Sequence, residues 1–139
     1  MGDRATNFPQ TQVLKCKIFP LVLQGAGSGK APVMKYGDPN AAFFTQPTFV
    51  STGIWTIQTV DGWPQWVLCL PSVMQATGAG TTTIQLSPVP AQITTSTATN
   101  NANSWKFTLN TFTSSSAADL LVGDQAIILF MFDNSSLAT

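Results

Sequence analysis

Trp105-Lys106-Phe107-Thr108-Leu109-Asn110-Thr111-Phe112 carries the cleanest alternation in the chain, with Trp105, Phe107 and Leu109 opposed by Lys106, Thr108 and Asn110. In an extended backbone successive side chains point to opposite faces, so this period of two describes a β-strand with one face in a core. Ile54 to Val60 repeats the pattern: Trp55, Ile57 and Thr59 face one way, and Ile54, Thr56, Gln58 and Val60 the other. Asp61-Gly62 then gives a strong turn signal. Gln125 to Phe132, QAIILFMF, is apolar on both faces and reads as a central strand or one covered on both sides. With seven or eight such short runs and no convincing helix, the chain is expected to be all-β. The expected architecture is a single antiparallel β-sandwich or jelly-roll-like domain over residues 13–139, preceded by an extended arm, residues 1–12.

The remaining strands are less regular. From Val13 to Leu23, Leu14, Cys16 and Ile18 are read on one face and Lys15, Lys17 and Phe19 on the other, until Pro20 interrupts the ladder. Lys15 and Lys17 are thereby placed on the solvent or partner side. Gln24 to Lys30, QGAGSGK, reads as a flexible loop, and Pro32, Pro39 and the Gly-Asp-Pro turn at 37–39 forbid a long helix between Ala31 and Pro47. Phe43, Phe44 and Phe49 supply anchors in and beside that stretch. The run from Trp66 to Met74 is read as broken by Pro71, and the strand from Thr83 to Ser87, with Ile84 and Leu86 inward, as ended by Pro88 and Pro90. Residues 77–82 form a Gly/Thr loop, residues 91–103 a polar low-complexity stretch, and Ala117 to Leu121 fits one helical turn.

Only 9% of the 139 residues are charged, with six cations, six aspartates, no glutamate and no histidine. An average soluble domain carries roughly a quarter, so hydroxyls, amides and apolar groups replace the usual solvated coat. A chain this long can bury roughly two thirds of its surface, enough for one domain with a real core. The scattered cations do not form the cluster that phosphate binding requires, so nucleic acid is not an expected partner. No apolar run reaches the roughly 18 to 20 residues that span a bilayer, and no membrane partner is expected. Met1-Gly2-Asp3-Arg4 lacks the apolar stretch of a secretion signal, which points to synthesis in a cytoplasm.

Reactive chemistry finds little material here. Without histidine, Ser and Thr have no ordinary base, and no enzyme is expected. Two sulfurs and no imidazole leave too few ligands for a Cys/His zinc site, and no cofactor is expected. Cys16 and Cys69 lie in apolar runs and read as buried free thiols, a disulfide between them requiring their strands to pair. Ser28-Gly29-Lys30 has the end of a phosphate-binding loop but not its first glycine, its following Ser or Thr, or its helix. Asp38 and Asp61 adjoin turns, where a short carboxylate accepts backbone N–H groups, and Asp119 is expected to cap or orient the loop before the last strand. Of the four tryptophans, Trp63 beside Pro64 is expected to be the exposed one, fit to anchor a protein interface or stack on a sugar.

Two separated segments carry a resemblance. Ser51-Thr52-Gly53-Ile54-Trp55-Thr56-Ile57-Gln58-Thr59-Val60-Asp61-Gly62-Trp63-Pro64 is one; Ala117-Ala118-Asp119-Leu120-Leu121, Gly123-Asp124 and Phe132-Asp133-Asn134-Ser135-Ser136 form the other. Together they resemble small structural proteins of tailed bacteriophages, over roughly residues 13 to 137. The Pro- and Phe-rich stretch from Ala31 to Pro47 and the QWVLCL run depart from that pattern. The resemblance implies a virion protein of the outer head surface, a decoration or cement protein that bridges major capsid protein subunits. A homo-oligomer is expected, a trimer over a capsid three-fold being preferred, with Arg4, Phe8, Lys15, Lys17 and Trp63 as interface candidates and residues 1–12 as the bridging element. The alternative from another class is a carbohydrate- or receptor-binding β-module of a tail or head fibre.

Overall fold

The computed structural model describes residues 16–63, 65–76, 84–93, 102–114 and 116–133. Eight strands lie among the described residues: β1 (Cys16–Gln24), β2 (Val33–Met34), β3 (Thr48–Ser51), β4 (Ile54–Gln58), β5 (Gln65–Met74), β6 (Gln85–Gln92), β7 (Trp105–Phe112) and β8 (Gln125–Asp133). They form two four-stranded sheets, β2-β1-β8-β5 and β3-β4-β7-β6, with every pairing antiparallel. The fold is thus an all-β sandwich. In a jelly roll successive strands pass between the sheets, whereas here β3 and β4, and β6 and β7, are neighbours in one sheet. The order β3-β4-β7-β6 against β1-β8-β5 matches the A-B-E-D and G-F-C sheets of an immunoglobulin-type sandwich, with the G-equivalent strand coming first in the chain.

Alternation builds the core as expected along β4, β7 and β8. Trp55 and Ile57, Phe107 and Leu109, and Ala126, Ile128, Phe130 and Phe132 are all buried between the sheets. The aromatic rings meet there: Phe130 lies 4.7 Å from Phe44 and 4.9 Å from Phe107, centroid to centroid. Such tilted and edge-on contacts add to the burial of the rings themselves.

β1 corrects the sequence reading. Its inward series is Phe19, Leu21 and Leu23, all buried, while Ile18 is 45% exposed. The face assigned to solvent is therefore the core face, and Lys17 shares its parity, exposed at the strand's beginning. Both faces of β1 are apolar, so local pattern could not choose between them; pairing with β8 from Cys16↔Asp133 to Gln24↔Gln125 does.

The prolines also behave differently from expectation. β1 runs through Pro20, β5 through Pro71, and β6 through both Pro88 and Pro90. β5 and β6 are outer strands, and β1 is bordered by β2 only at Leu23 and Gln24. Each has a side with no ladder to feed, where a missing N–H costs nothing and deters further strand pairing. On β1 that side is closed by a loop: Val22 N–H donates to Asp38 Oδ2 (2.8 Å), Asn40 Nδ2 to the Pro20 carbonyl (2.6 Å), and Lys35 N–H to the Val22 carbonyl (2.9 Å).

No helical turn forms over Ala117 to Leu121. Ala117 instead makes a β-bridge with Phe112, and Asp119 ties two distant loops. Asp119 Oδ1 accepts the Gly53 N–H at 2.6 Å and Oδ2 the Gly29 N–H at 2.8 Å. Asp124 accepts from Leu121 and Ala76. The Gln24–Lys30 loop, read as flexible, is pinned: besides Gly29, Gly25 donates to the Asp124 carbonyl and Gly27 to that of Leu120.

Candidate functional site

Because side chains alternate, each sheet also presents an outer face, and the two are chemically unlike. On β3-β4-β7-β6 the register aligns Thr48, Thr56, Thr108 and Val89 in one row and Ser51, Ile54, Asn110 and Ser87 in the next. That face is mostly hydroxyl and amide. On the other sheet, Ile18, Met131 and Leu68 form one row, Pro20, Leu129 and Leu70 the next, and Val22, Ile127 and Ser72 a third. Val33 and Met74 flank Gln24 and Gln125 in a fourth. Across these four rows the polar members are Ser72, Gln24 and Gln125, and no residue is charged.

This apolar face is open. Leu70 is 57% exposed, Met74 54% and Val33 47%, and at the β5 bulge between Trp66 and Leu68 stands Val67, also exposed. From such fractions and ordinary residue areas the face presents on the order of 600 Å² of apolar surface, at the upper end of the largest patch on a typical monomer. Burying it would contribute about 25 cal/mol for each Å² of apolar area removed from water. Double-sided apolarity in QAIILFMF was its sequence signal. The share of the flanking strands was not readable because Pro20 and Pro71 were read as breaks and the Ile18 side of β1 was not separated from its core side.

Of the interface candidates named from sequence, the two that are described, Lys17 and Trp63, do not stand on this face. Arg4, Phe8 and Lys15 lie outside the described residues, as do the arm, the 77–82 loop and most of the 91–103 stretch. Trp63 is half-buried, not the exposed platform expected. Its ring stacks on Phe132 at 5.5 Å with a 21° interplanar angle and meets Phe19 at 5.4 Å. Its backbone fixes it too, the N–H donating to the Asn103 carbonyl and the carbonyl accepting Trp105 Nε1–H at 3.0 Å. The Asp61-Gly62 turn folds Trp63 back over the open end of the core, where burying an indole is more favourable than hydrating it.

Two other groups of polar atoms that could bind a ligand are committed to structure. A surface hollow of about 250 Å³ is lined by Val22, Lys35, Tyr36, Gly37, Asp38 and Pro39, but the Asp38 carboxylate already accepts from Val22 and Asn40. The Gly25, Gly27 and Gly29 N–H groups that would cradle a phosphate donate to the protein itself. Among the described residues no three His, Cys, Asp or Glu side chains come together as a metal site.

Cys16 and Cys69 are free and sit on opposite faces of one sheet: Cys69 aligns with the inward Phe130, Cys16 with the outward Asp133. Burial pushes the Cys69 thiol up to about 12. Since the thiolate is the reactive form, Cys69 in the native protein should alkylate at about pH 8 at least roughly 100-fold more slowly than in urea. Equal rates in a timed iodoacetamide assay would contradict its inward position.

The two segments that carry the phage resemblance meet in space. Gly53 binds Asp119, Thr111 N–H donates to the Gly53 carbonyl at 2.7 Å, and Ala118 N–H to the Thr111 carbonyl at 3.0 Å. Among the described residues these contacts hold loops together. No protein-family model, curated protein or solved structure matches the chain.

Proposed function

We propose that this protein is a structural, non-enzymatic subunit of a large protein assembly, and that the assembly is a tailed-phage head which it decorates and cements by bridging major capsid protein subunits. The observation that carries the reading is the uncharged outer face of β1, β8 and β5, about 600 Å² of apolar surface on a chain with few charges anywhere. A soluble protein that keeps such a face open meets a partner there. Many copies bound at once hold far more firmly than one, because each engaged contact raises the effective concentration of the next. The resemblance of residues 51–64 and 117–136 to small phage structural proteins is the support for a location on the outer surface of the virion.

Recognition of a glycan by Trp63 has less support, since both its ring contacts are inside the protein. Quantitative mass spectrometry of purified particles whose genome encodes this chain tests the proposal. Hundreds of copies per head are expected; absence, or about a dozen copies as for a connector, overturns the cement role.

A further inference from the structure

We infer that the apolar outer face of β1, β8 and β5 is covered by the same face of a second copy of this chain. The inference rests on the reading that this face is buried in the assembly, and names its first occupant. Three features select a copy over an unlike partner.

The first is area. Two such faces pressed together bury on the order of 1,200 Å², the lower end of what specific, stable interfaces bury. The second is neutrality. Two-fold pairing sets a surface against itself, which a charged face resists; the four rows from Ile18–Met131–Leu68 to Val33–Met74 hold no charge. Asp133, aligned with Cys16 and Gln65, lies one row beyond them at the rim. There solvent and salt weaken its approach to its counterpart.

The third is shape. In the second row the β5 flank carries the long Leu70, more than half exposed, and the β1 flank the short Pro20; in the third, Ser72 and Val22 stand on the two flanks. A copy turned about an axis along β8 lays its β5 flank over the β1 flank of the first, row on row, so that Leu70 lies over Pro20 and Ser72 over Val22 on both sides of the axis at once. Leu129, at the centre of the middle row, then faces its own counterpart. Two sheets pack face to face about 10 Å apart in this way within single domains. A flat face that meets itself closes at two copies, a pair in place of the trimer expected from the sequence.

Sedimentation equilibrium of the full chain between about 1 and 100 µM tests this. The expected species is twice the 14.8 kDa monomer. Leu70→Lys should raise the dissociation constant at least about 100-fold, while Val89→Lys, equally exposed but on the outer face of the opposite sheet, should leave it unchanged. Leu70 is exposed in the single chain, so its variant is expected to fold, and unchanged β-sheet circular dichroism would confirm that. Should Leu70→Lys misfold, Met74→Lys takes its place with the same expectation. A monomer at about 100 µM, a trimer, or dissociation caused by Val89→Lys and not by Leu70→Lys overturns the pairing. These outcomes are separate from particle copy number: a monomer found in hundreds per head refutes the pair and keeps the cement role, and a pair absent from heads does the reverse.

Discussion

Phe130→Ala is expected to destabilise the fold by about 4 kcal/mol, the usual range for removing a fully enclosed aromatic side chain. Phe130 has no exposed surface, and its ring sits among Phe44 at 4.7 Å, Phe107 at 4.9 Å and Phe132 at 6.3 Å. These neighbours come from both sheets and from the segment before β3. None can close the gap without moving a strand held on both sides, because β8 pairs along its whole length with both β1 and β5. The cavity therefore stays open, and its cost adds to the lost transfer energy. Urea unfolding followed by tryptophan fluorescence measures the change. A loss below about 1 kcal/mol would mean that Phe130 does not sit at the meeting point of the sheets.

Gly53→Ala should cost at least about 3 kcal/mol, for two separable reasons. Gly53 has φ +71°, a left-handed conformation that disfavours a side chain by roughly 1–2 kcal/mol. An added Cβ would also collide with the Thr111 carbonyl oxygen and stand 2.9 Å from Ala117 Cβ. Neither neighbour is a flexible side-chain tip that can swing away. Moving them would strain the Asp119 bond to the Gly53 N–H at 2.6 Å, which joins the β3–β4 turn to the loop before β8. Gly37→Ala separates the two terms, since Gly37 also has a positive φ (+81°) but nothing within 4 Å of the added carbon. It should lose about 1 kcal/mol, the conformational part alone. Equal losses at the two positions would remove the close approach as a cause.

Much of the fold was legible because alternation is a local property. The strand at Trp105–Phe112, the sorting of Trp55, Ile57 and Thr59 onto one face, and the central position of QAIILFMF come from period two and from apolarity on both faces. Asp119 as the residue that orients the loop before the last strand was also readable, since a short carboxylate among loop residues seeks backbone N–H groups. Its partners, Gly53 and Gly29, were not: they lie 66 and 90 residues away in the chain. Trp63 failed for the same reason. Beside a turn and a proline it looked exposed, and only the end of the sandwich, assembled from Phe19 and Phe132, gives it a place to pack.

By itself, then, the sequence determined that this is an all-β chain with a sparsely charged coat and several named strands. Tertiary structure alone decided which face of β1 looks inward, and that Pro20, Pro71, Pro88 and Pro90 lie within strands. The physical reason is that a proline's missing donor matters only on a side where a neighbour waits for it, and neighbours are a property of the sheet. The apolar outer face is the same kind of fact. It consists of Ile18, Pro20 and Val22 beside Met131, Leu129 and Ile127 beside Leu68 and Leu70, residues from three distant stretches that antiparallel register sets side by side.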